Sequence, residues 1–418
     1  MGLSWPGEWE RLCLKEKAGR NSPIVSSPVV ILGKRRPALL AAAALNLPVV
    51  LVHDTTVGQK TRQLVREVIP ANLDAKPPEW ESVALELERL GPIRAIIAAS
   101  ERTVRAAAWL RNRLAVPGAN EIQAMLGTDK LAMKSALRVA GIPVADFFPA
   151  QGETPMSAVR AQIGLPLVLK YRRGFGGRQT QIVFRDEDLP PSLPAGWMAE
   201  RLLSGIEMSV ESFVQDGQLR FVHLTEYFIP RFVSVSPNLL DRDTERALLA
   251  LNRNVIDTLG IKNGLTHLEC FVTSQGPVFG EIALRPPGGH LMNLIARAYA
   301  FDPWQAWLRL ELGEPVSLPA APICHAAVFL LHPGGAGRLT GITGWDEAST
   351  AEGIVEASLH VRPGDLVGER QGSGQESGYL LATGGSRLAA LEAVLEARRR
   401  LRLELAPQSA DALAGSAV

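Results

Sequence analysis

Residues 264–290, GLTHLECFVTSQGPVFGEIALRPPGGH, constrain the chain more than any other stretch. Two short apolar segments, 265–273 and 277–284, flank Ser274-Gln275-Gly276. A three-residue connection ending in Gly is a common hairpin loop, because Gly takes the left-handed conformation that the turn needs. With Gln275 at the centre, Glu269 and Glu281 are equidistant from the turn and face each other. Directly opposed residues on one sheet face lie about 4.5–5.5 Å apart at Cβ, where like charges repel. A cation between the two carboxylates removes the conflict. Oxygen ligands with no His or Cys pair nearby suit Mg2+ or Mn2+ better than Zn2+, and Mg2+ commonly takes one or two carboxylates plus substrate phosphates. Arg285-Pro286-Pro287-Gly288-Gly289 then places a fixed positive fork and an unobstructed backbone beside the expected metal. A bulge would shift this register by one residue, and the plain reading is a surface hairpin with two solvated glutamates.

The 418 residues are enough for two to four domains with real cores. A net charge of +1 gives no electrostatic case for nucleic acid or an anionic membrane as partner. The longest apolar run, residues 38–52, is broken by Asn46 and Pro48 and is too short for a membrane span. No secretory signal is expected, since the first 22 residues lack an apolar segment. Cys13, Cys270 and Cys324 are too few and scattered for a disulfide framework, which makes a reducing cytoplasm the default compartment.

Residues 28–116 alternate strand and helix patterns, with strands expected at 28–33, 48–54 and 93–100. That alternation predicts a doubly wound parallel sheet. Gly33 begins no G-x-G-x-x-G, so no dinucleotide site is assigned. A break at 116–120 ends this N-terminal domain, taken as 1–117. Thr128 or Asp129 caps a helix that ends at Gly141 and places Lys130 in its first turn, where the helix dipole disfavours a cation. A buried strand ends in Lys170 and runs into Tyr171-Arg172-Arg173-Gly174-Phe175-Gly176-Gly177-Arg178. Glycines, free N–H groups and arginines together suit a cover over a polyphosphate, and a plain flexible turn fits equally well. Glu200 and Glu207 bracket an apolar hinge. His223 reads as a satisfied sheet histidine, and His267, on the face of Glu269, as a support for the site or a structural residue rather than a ligand. Helices are expected at 241–259, 290–299 and 303–312, and a charged helix at 386–404. A disordered tail is expected after Ala406.

The order of these features resembles the ATP-grasp superfamily of carboxylate–amine and carboxylate–thiol ligases over about residues 28–405. The C-terminal part is similar to the extra domain of L-amino-acid ligases, the dipeptide-forming branch. The resemblance implies an α/β and α+β chain: the N-terminal domain, an ATP-grasp core at 118–318 and a C-terminal α+β domain at 319–418. The core would divide into a lid subdomain at 128–198 and a larger sheet subdomain at 199–318. The resemblance also implies that Lys130 and Lys170 hold the ATP phosphates under a lid containing Arg173, Gly174, Gly176 and Gly177. Glu200 and the backbone from Arg201 to Leu203 would read adenine, and Glu207 the ribose. Glu269 and Glu281 would bind Mg2+ or Mn2+, with Arg285, Gly288 and Gly289 at the reacting carboxyl and Glu226 at the amino-acid amine. The implied reaction joins a small carboxylate to a small amine through an acyl phosphate, and dimers are common in the family, so a homodimer is one open assembly. The family usually carries Asn two residues after the second metal glutamate. Ala283 stands there instead and cannot ligate, which fits weaker metal binding. A purine-biosynthesis-type ATP-grasp enzyme and an inactive nucleotide-binding regulator are the competing readings.

Overall fold

A computed structural model describes residues 27–74, 77–238, 240–372 and 374–406. Cys13, the first 22 residues and the tail beyond Ala406 lie outside the described residues. In the N-terminal domain the strands Val29–Leu32, Val49–His53 and Ala95–Ala98 are joined by Glu67–Pro70. The sheet is wholly parallel, with Val29–Leu32 between Val49–His53 and Ala95–Ala98 and with Glu67–Pro70 at the outer edge. Val29–Leu32, VVIL, is buried along its whole length because helices cover both faces of such a sheet. Glu67–Pro70, EVIP, has one buried residue and no apolar run, so the sequence offered no signal for it.

A separate antiparallel sheet has four strands in the order Phe147–Pro149, Trp197–Arg201, Leu167–Tyr171, Thr180–Val183. Beside it stands the helix Lys130–Val139, whose buried face carries Met133, Lys134 and Leu137. The larger sheet has eight antiparallel strands and begins with the hairpin Gly276–Ala283 and Gly264–Thr273. Ile206–Gln215, Gln218–Ile229 and Val233–Ser236 follow. His325–Leu331, Gly378–Gly384 and Ile354–Leu359 then extend the same sheet, so the C-terminal domain continues the core rather than sitting apart from it.

One sheet face packs through Phe213, Phe221 and Leu265 onto Trp307 and the N-terminal helix residues Leu39 and Ala42. The other face packs on the helix Arg242–Thr258 through Leu248, Leu251 and Val255. The final helix ends at Arg400, and Arg402–Leu405 forms a strand on Gly337–Thr343. This corrects the expectation of a helix through residue 404: alternating Leu403 and Leu405 take strand periodicity once Leu401 leaves the helix. Among the described residues, no helix is long and apolar enough to cross a membrane.

Candidate active site

Glu269 and Glu281 are direct cross-strand partners, although the connection differs from the expected one. Thr273 pairs with Gly276, so the turn holds two residues, Ser274 and Gln275, rather than three. A bulge between Glu269 and Cys270 compensates, and beyond it Glu269 meets Glu281, Leu268 meets Ile282 and His267 meets Ala283. Gly280 permits the bulge, since a Cβ there would lie 2.9 Å from the Glu269 carbonyl oxygen.

Cations do stand at this pair. Lys130 Nζ lies 3.0 Å from Glu281 Oε2, and His267 Nε2 lies 3.3 Å from Glu269 Oε1. The Tyr227 hydroxyl also donates to Glu269 Oε1, at 3.3 Å. Burial by itself would raise the Glu281 pKa, but Lys130, Lys170 and Lys134 outweigh it and hold the carboxyl at about 2. His267 is opposed by burial and supported by Glu211 and Glu269, and its pKa is pushed up to about 9. Its Nδ1 lies 2.8 Å from Glu211 Oε1, and Thr225 donates to the other oxygen of Glu211 at 3.0 Å. His267 thus stands between Glu211 and Glu269, in contact with both. Glu207, on the same face, is pushed up to about 7 by burial and then by the charge of Glu269. Two carboxylate oxygens on one face fit a hard divalent cation whose remaining ligands are phosphate oxygens or water. Among the described residues no cluster of three or more His, Cys, Asp or Glu forms a self-sufficient metal cage.

Lys130 opens its helix behind Asp129, which accepts from the Leu131 and Ala132 amides. Asp129 also receives Arg172 Nη2 at 2.9 Å, which offsets the unfavourable position of a first-turn lysine. The Lys130 amide donates to the Arg172 carbonyl at 3.0 Å, and its ammonium donates to the Gly174 carbonyl. Helix start and glycine loop are therefore fastened together. Gly176 and Gly177 both have positive φ, as a turn of this tightness requires. The loop touches the C-terminal domain: a Cβ on Gly372 would lie 1.8 Å from the Gly176 carbonyl oxygen.

Lys170 Nζ lies 2.6 Å from Glu200 Oε2, and Lys134 Nζ lies 3.2 Å from Glu200 Oε1. Lys134 was not singled out from the sequence. Its side chain is 1% exposed, and burial, only partly offset by Glu200, lowers its pKa to about 8. Position in the helix was its one legible signal, since Lys134 shares the apolar stripe of Met133 and Leu137. If Lys170 turns to a phosphate, Lys134 remains to balance Glu200. Lys134→Met is therefore expected to lower ATP affinity roughly tenfold, a charge-assisted hydrogen bond being worth about 1.5–3 kcal/mol. Calorimetric titration with MgATP checks this. In the proposed adenine strand, the Arg201 and Leu202 amides already donate to Asp146 and Pro166. The Leu203 amide has no partner among the described residues.

Arg285 Nε donates to Glu101 Oε2 at 2.9 Å. Glu101 is a second residue that sequence reasoning missed. It starts a short 3-10 turn after Ala95–Ala98, held by a Ser100–Thr103 capping box. That is the carboxyl end of a parallel strand, where ligand sites of α/β sheets gather. One small cavity is lined by Glu101, Thr128, Lys130, Gly174, Phe175 and Glu281. It brings the Lys130–Glu281 pair to one space with Glu101, the partner of Arg285.

Glu226 is not brought to this group. Ser209 pairs with both Glu269 and Thr225, whereas Glu226 pairs with Met208, a core residue of the opposite face. Its Oε1 lies 2.6 Å from Arg387 Nη2. The expectation that it meets the amine is thereby corrected: the strand register turns it to the other side of the sheet, where an arginine neutralises it.

The fold is that of solved ATP-grasp ligases, a class of ATP-dependent carboxylate–amine ligases. Its likeness within that class is to L-amino-acid ligases. Residues 329–406 match the family model described as L-amino acid ligase C-terminal domain 2. The L-arginine-specific L-amino acid ligase of Bacillus subtilis is 28% identical over 313 residues, covering 70% of this chain and 76% of that protein. The crystal structure of L-amino acid ligase from Bacillus licheniformis superposes with a TM-score of 0.77 at 17% identity, covering 91% of this chain and 99% of that one. The biotin carboxylase domain of Hydrogenobacter thermophilus 2-oxoglutarate carboxylase, solved with MgADP, gives a TM-score of 0.68 at 15% identity. That match covers 90% of each chain.

Proposed function

We propose that this chain activates an amino-acid carboxylate with ATP and joins it to an amine, releasing ADP and phosphate. The carrying observation is the single cavity that Glu281, Lys130 and Gly174 share with Glu101, the partner of Arg285. A carboxylate is a poor electrophile. Its oxygen first attacks the γ-phosphorus, giving an acyl phosphate and ADP, and the amine then displaces phosphate and loses a proton.

Glu269 and Glu281 would hold Mg2+, or Mn2+, which supplies charge neutralisation to the transferring phosphoryl group. Lys130 and Lys170 carry the nucleotide phosphates, while Glu200, Arg201 and Leu203 face the base and Glu207 the ribose. Arg285 receives the carbonyl oxygen as it gains negative charge, with the Gly288 and Gly289 backbone alongside. A planar, permanently charged fork suits that oxygen. The cytoplasm is the proposed compartment and a homodimer the proposed assembly.

The test is ADP release screened over pairs of amino acids, with the product identified by mass spectrometry. ADP formation only when acid and amine are both supplied supports the ligase. A chain that binds ATP and turns over no pair is a regulator instead. The loop of Arg173, Gly174, Gly176 and Gly177 should close over the nucleotide, so MgATP is expected to slow tryptic cleavage at Arg172, Arg173 and Arg178. Equal cleavage with and without MgATP would remove its role as a lid.

A further inference from the structure

The segment carrying Arg285 is Arg285-Pro286-Pro287-Gly288-Gly289, and its two prolines have no N–H with which to tie the loop to itself. Its carbonyls are held from another domain. Arg35, at the N-cap of the helix Arg36–Ala44, donates from Nη1 to the Pro286 carbonyl at 2.8 Å and from Nη2 to the Pro287 carbonyl. Nη1 also approaches the Ala99 carbonyl at 3.4 Å. The guanidinium lies over the Trp304 ring, 4.8 Å from its centroid. Among the described residues it has no carboxylate partner.

That arrangement is costly for a cation. Burial and then the charge of Arg285 lower the Arg35 pKa to about 9. A mere tie between domains would be cheaper with a neutral donor. The geometry gives the charge a purpose, because Arg285 Nη1 donates to the same Pro286 oxygen at 3.0 Å. One carbonyl therefore bridges two guanidinium groups, and Arg285 is located by Glu101 on one side and by that carbonyl on the other. The Pro287–Gly288 peptide is planar and trans, so its N–H points away from its C=O. Holding the Pro287 oxygen against Arg35 turns the Gly288 N–H to the side away from Arg35. The Gly288 and Gly289 amides have no partner among the described residues.

We propose that Arg35 is a positioning residue for the amide-forming step: through the Pro286 and Pro287 carbonyls it sets the place of the Arg285 guanidinium and the direction of the Gly288 N–H. The inference rests on the role proposed above for Arg285. Arg35 does not touch substrate in this scheme. It fixes the donors that do, from the start of a rigid helix, which keeps the loop in register with the nucleotide side of the site.

The experiment compares Arg35→Ala, Arg35→Lys, Arg285→Ala and the double alanine variant. ADP release is read with the amino-acid pair that the screen finds fastest, and MgADP affinity is read by calorimetry. Arg35→Ala is expected to lower kcat roughly 10²-fold, the cost of a reacting geometry that slips by about 1 Å, with KM for ATP and MgADP affinity unchanged. Added guanidinium chloride should restore part of the loss. The double variant should be no slower than Arg285→Ala alone, because both changes remove one unit of function. Losses that multiply in the double variant, or a kcat that falls only together with nucleotide affinity, would overturn the inference.

If Arg285→Ala is impaired while Arg35→Ala is not, the inference fails and the role of Arg285 stands. If Arg285→Ala turns over like wild type, the role of Arg285 fails and the inference with it. Arg35→Lys keeps the charge without the fork, covers the case in which the alanine variant does not fold, and needs no substrate to be informative. In its crystal structure the Arg285 guanidinium should have left the Pro286 oxygen, and finding it unmoved would overturn the inference.

Discussion

Glu281→Gln is expected to abolish turnover while leaving the protein folded. The carboxyl at this position is held at about 2 by three lysines, so it carries a full negative charge at any pH where the enzyme is assayed. Glutamine keeps the shape but presents one neutral oxygen to a divalent cation. It also leaves Lys130, 3.0 Å away, without its counter-charge. The proposed cation would then lose one of two carboxylates when the transferring phosphoryl group needs it, and Ala283 offers no substitute ligand. ADP release measured across a range of Mg2+ concentrations checks the outcome. Wild-type rates at low Mg2+ would remove Glu281 from the metal site.

Arg285→Ala is expected to lower the rate roughly 10²–10³-fold, the usual loss when a donor to a developing oxyanion is removed. ATP affinity should hold, because the proposed nucleotide contacts lie on Lys130, Lys170 and Glu200. The variant also strands Glu101. Burial already raises the pKa of that carboxyl, and Arg285 is the largest influence acting the other way. Without the arginine, Glu101 shifts further toward its protonated form. Steady-state kinetics separate the two consequences, since kcat should fall with KM for ATP unchanged. A variant impaired only in ATP binding would contradict the role given to Arg285.

The opposed glutamates were legible in the sequence, but two irregularities had to cancel for the reading to hold. The turn is one residue shorter than expected, and the bulge that Gly280 allows restores the pairing. The neighbouring hairpin has no such second correction. Continued from the turn at Asp216-Gly217, its register would set Glu226 opposite Glu207, on the face of Glu269 and Glu281. One extra residue near Phe213 and Val214 shifts the pairing and turns Glu226 to the far side, against Arg387. A single bulge exchanges the faces of every residue beyond it, and side-chain alternation does not reveal where a bulge falls.

Lys134, Glu101 and Arg35 were hidden for a different reason. Each acquires its meaning from a partner distant in sequence: Glu200, Arg285 and the Pro286 carbonyl respectively. Local patterning predicts which face of an element is apolar, and it correctly marked the helices at 242–258 and 303–311. It does not reveal which charged residue another domain brings to that face.

The unbroken sheet has a practical consequence for anyone dissecting the protein. Val233–Ser236 is buried at all four positions and hydrogen-bonds to His325–Leu331, the first strand beyond residue 318. Trimming the chain to its first 318 residues would leave that buried strand as a raw edge with unpaired amides, an invitation to edge-to-edge aggregation. The strands His325–Leu331, Gly378–Gly384 and Ile354–Leu359 are thus a seal on the rest of the sheet rather than a detachable accessory.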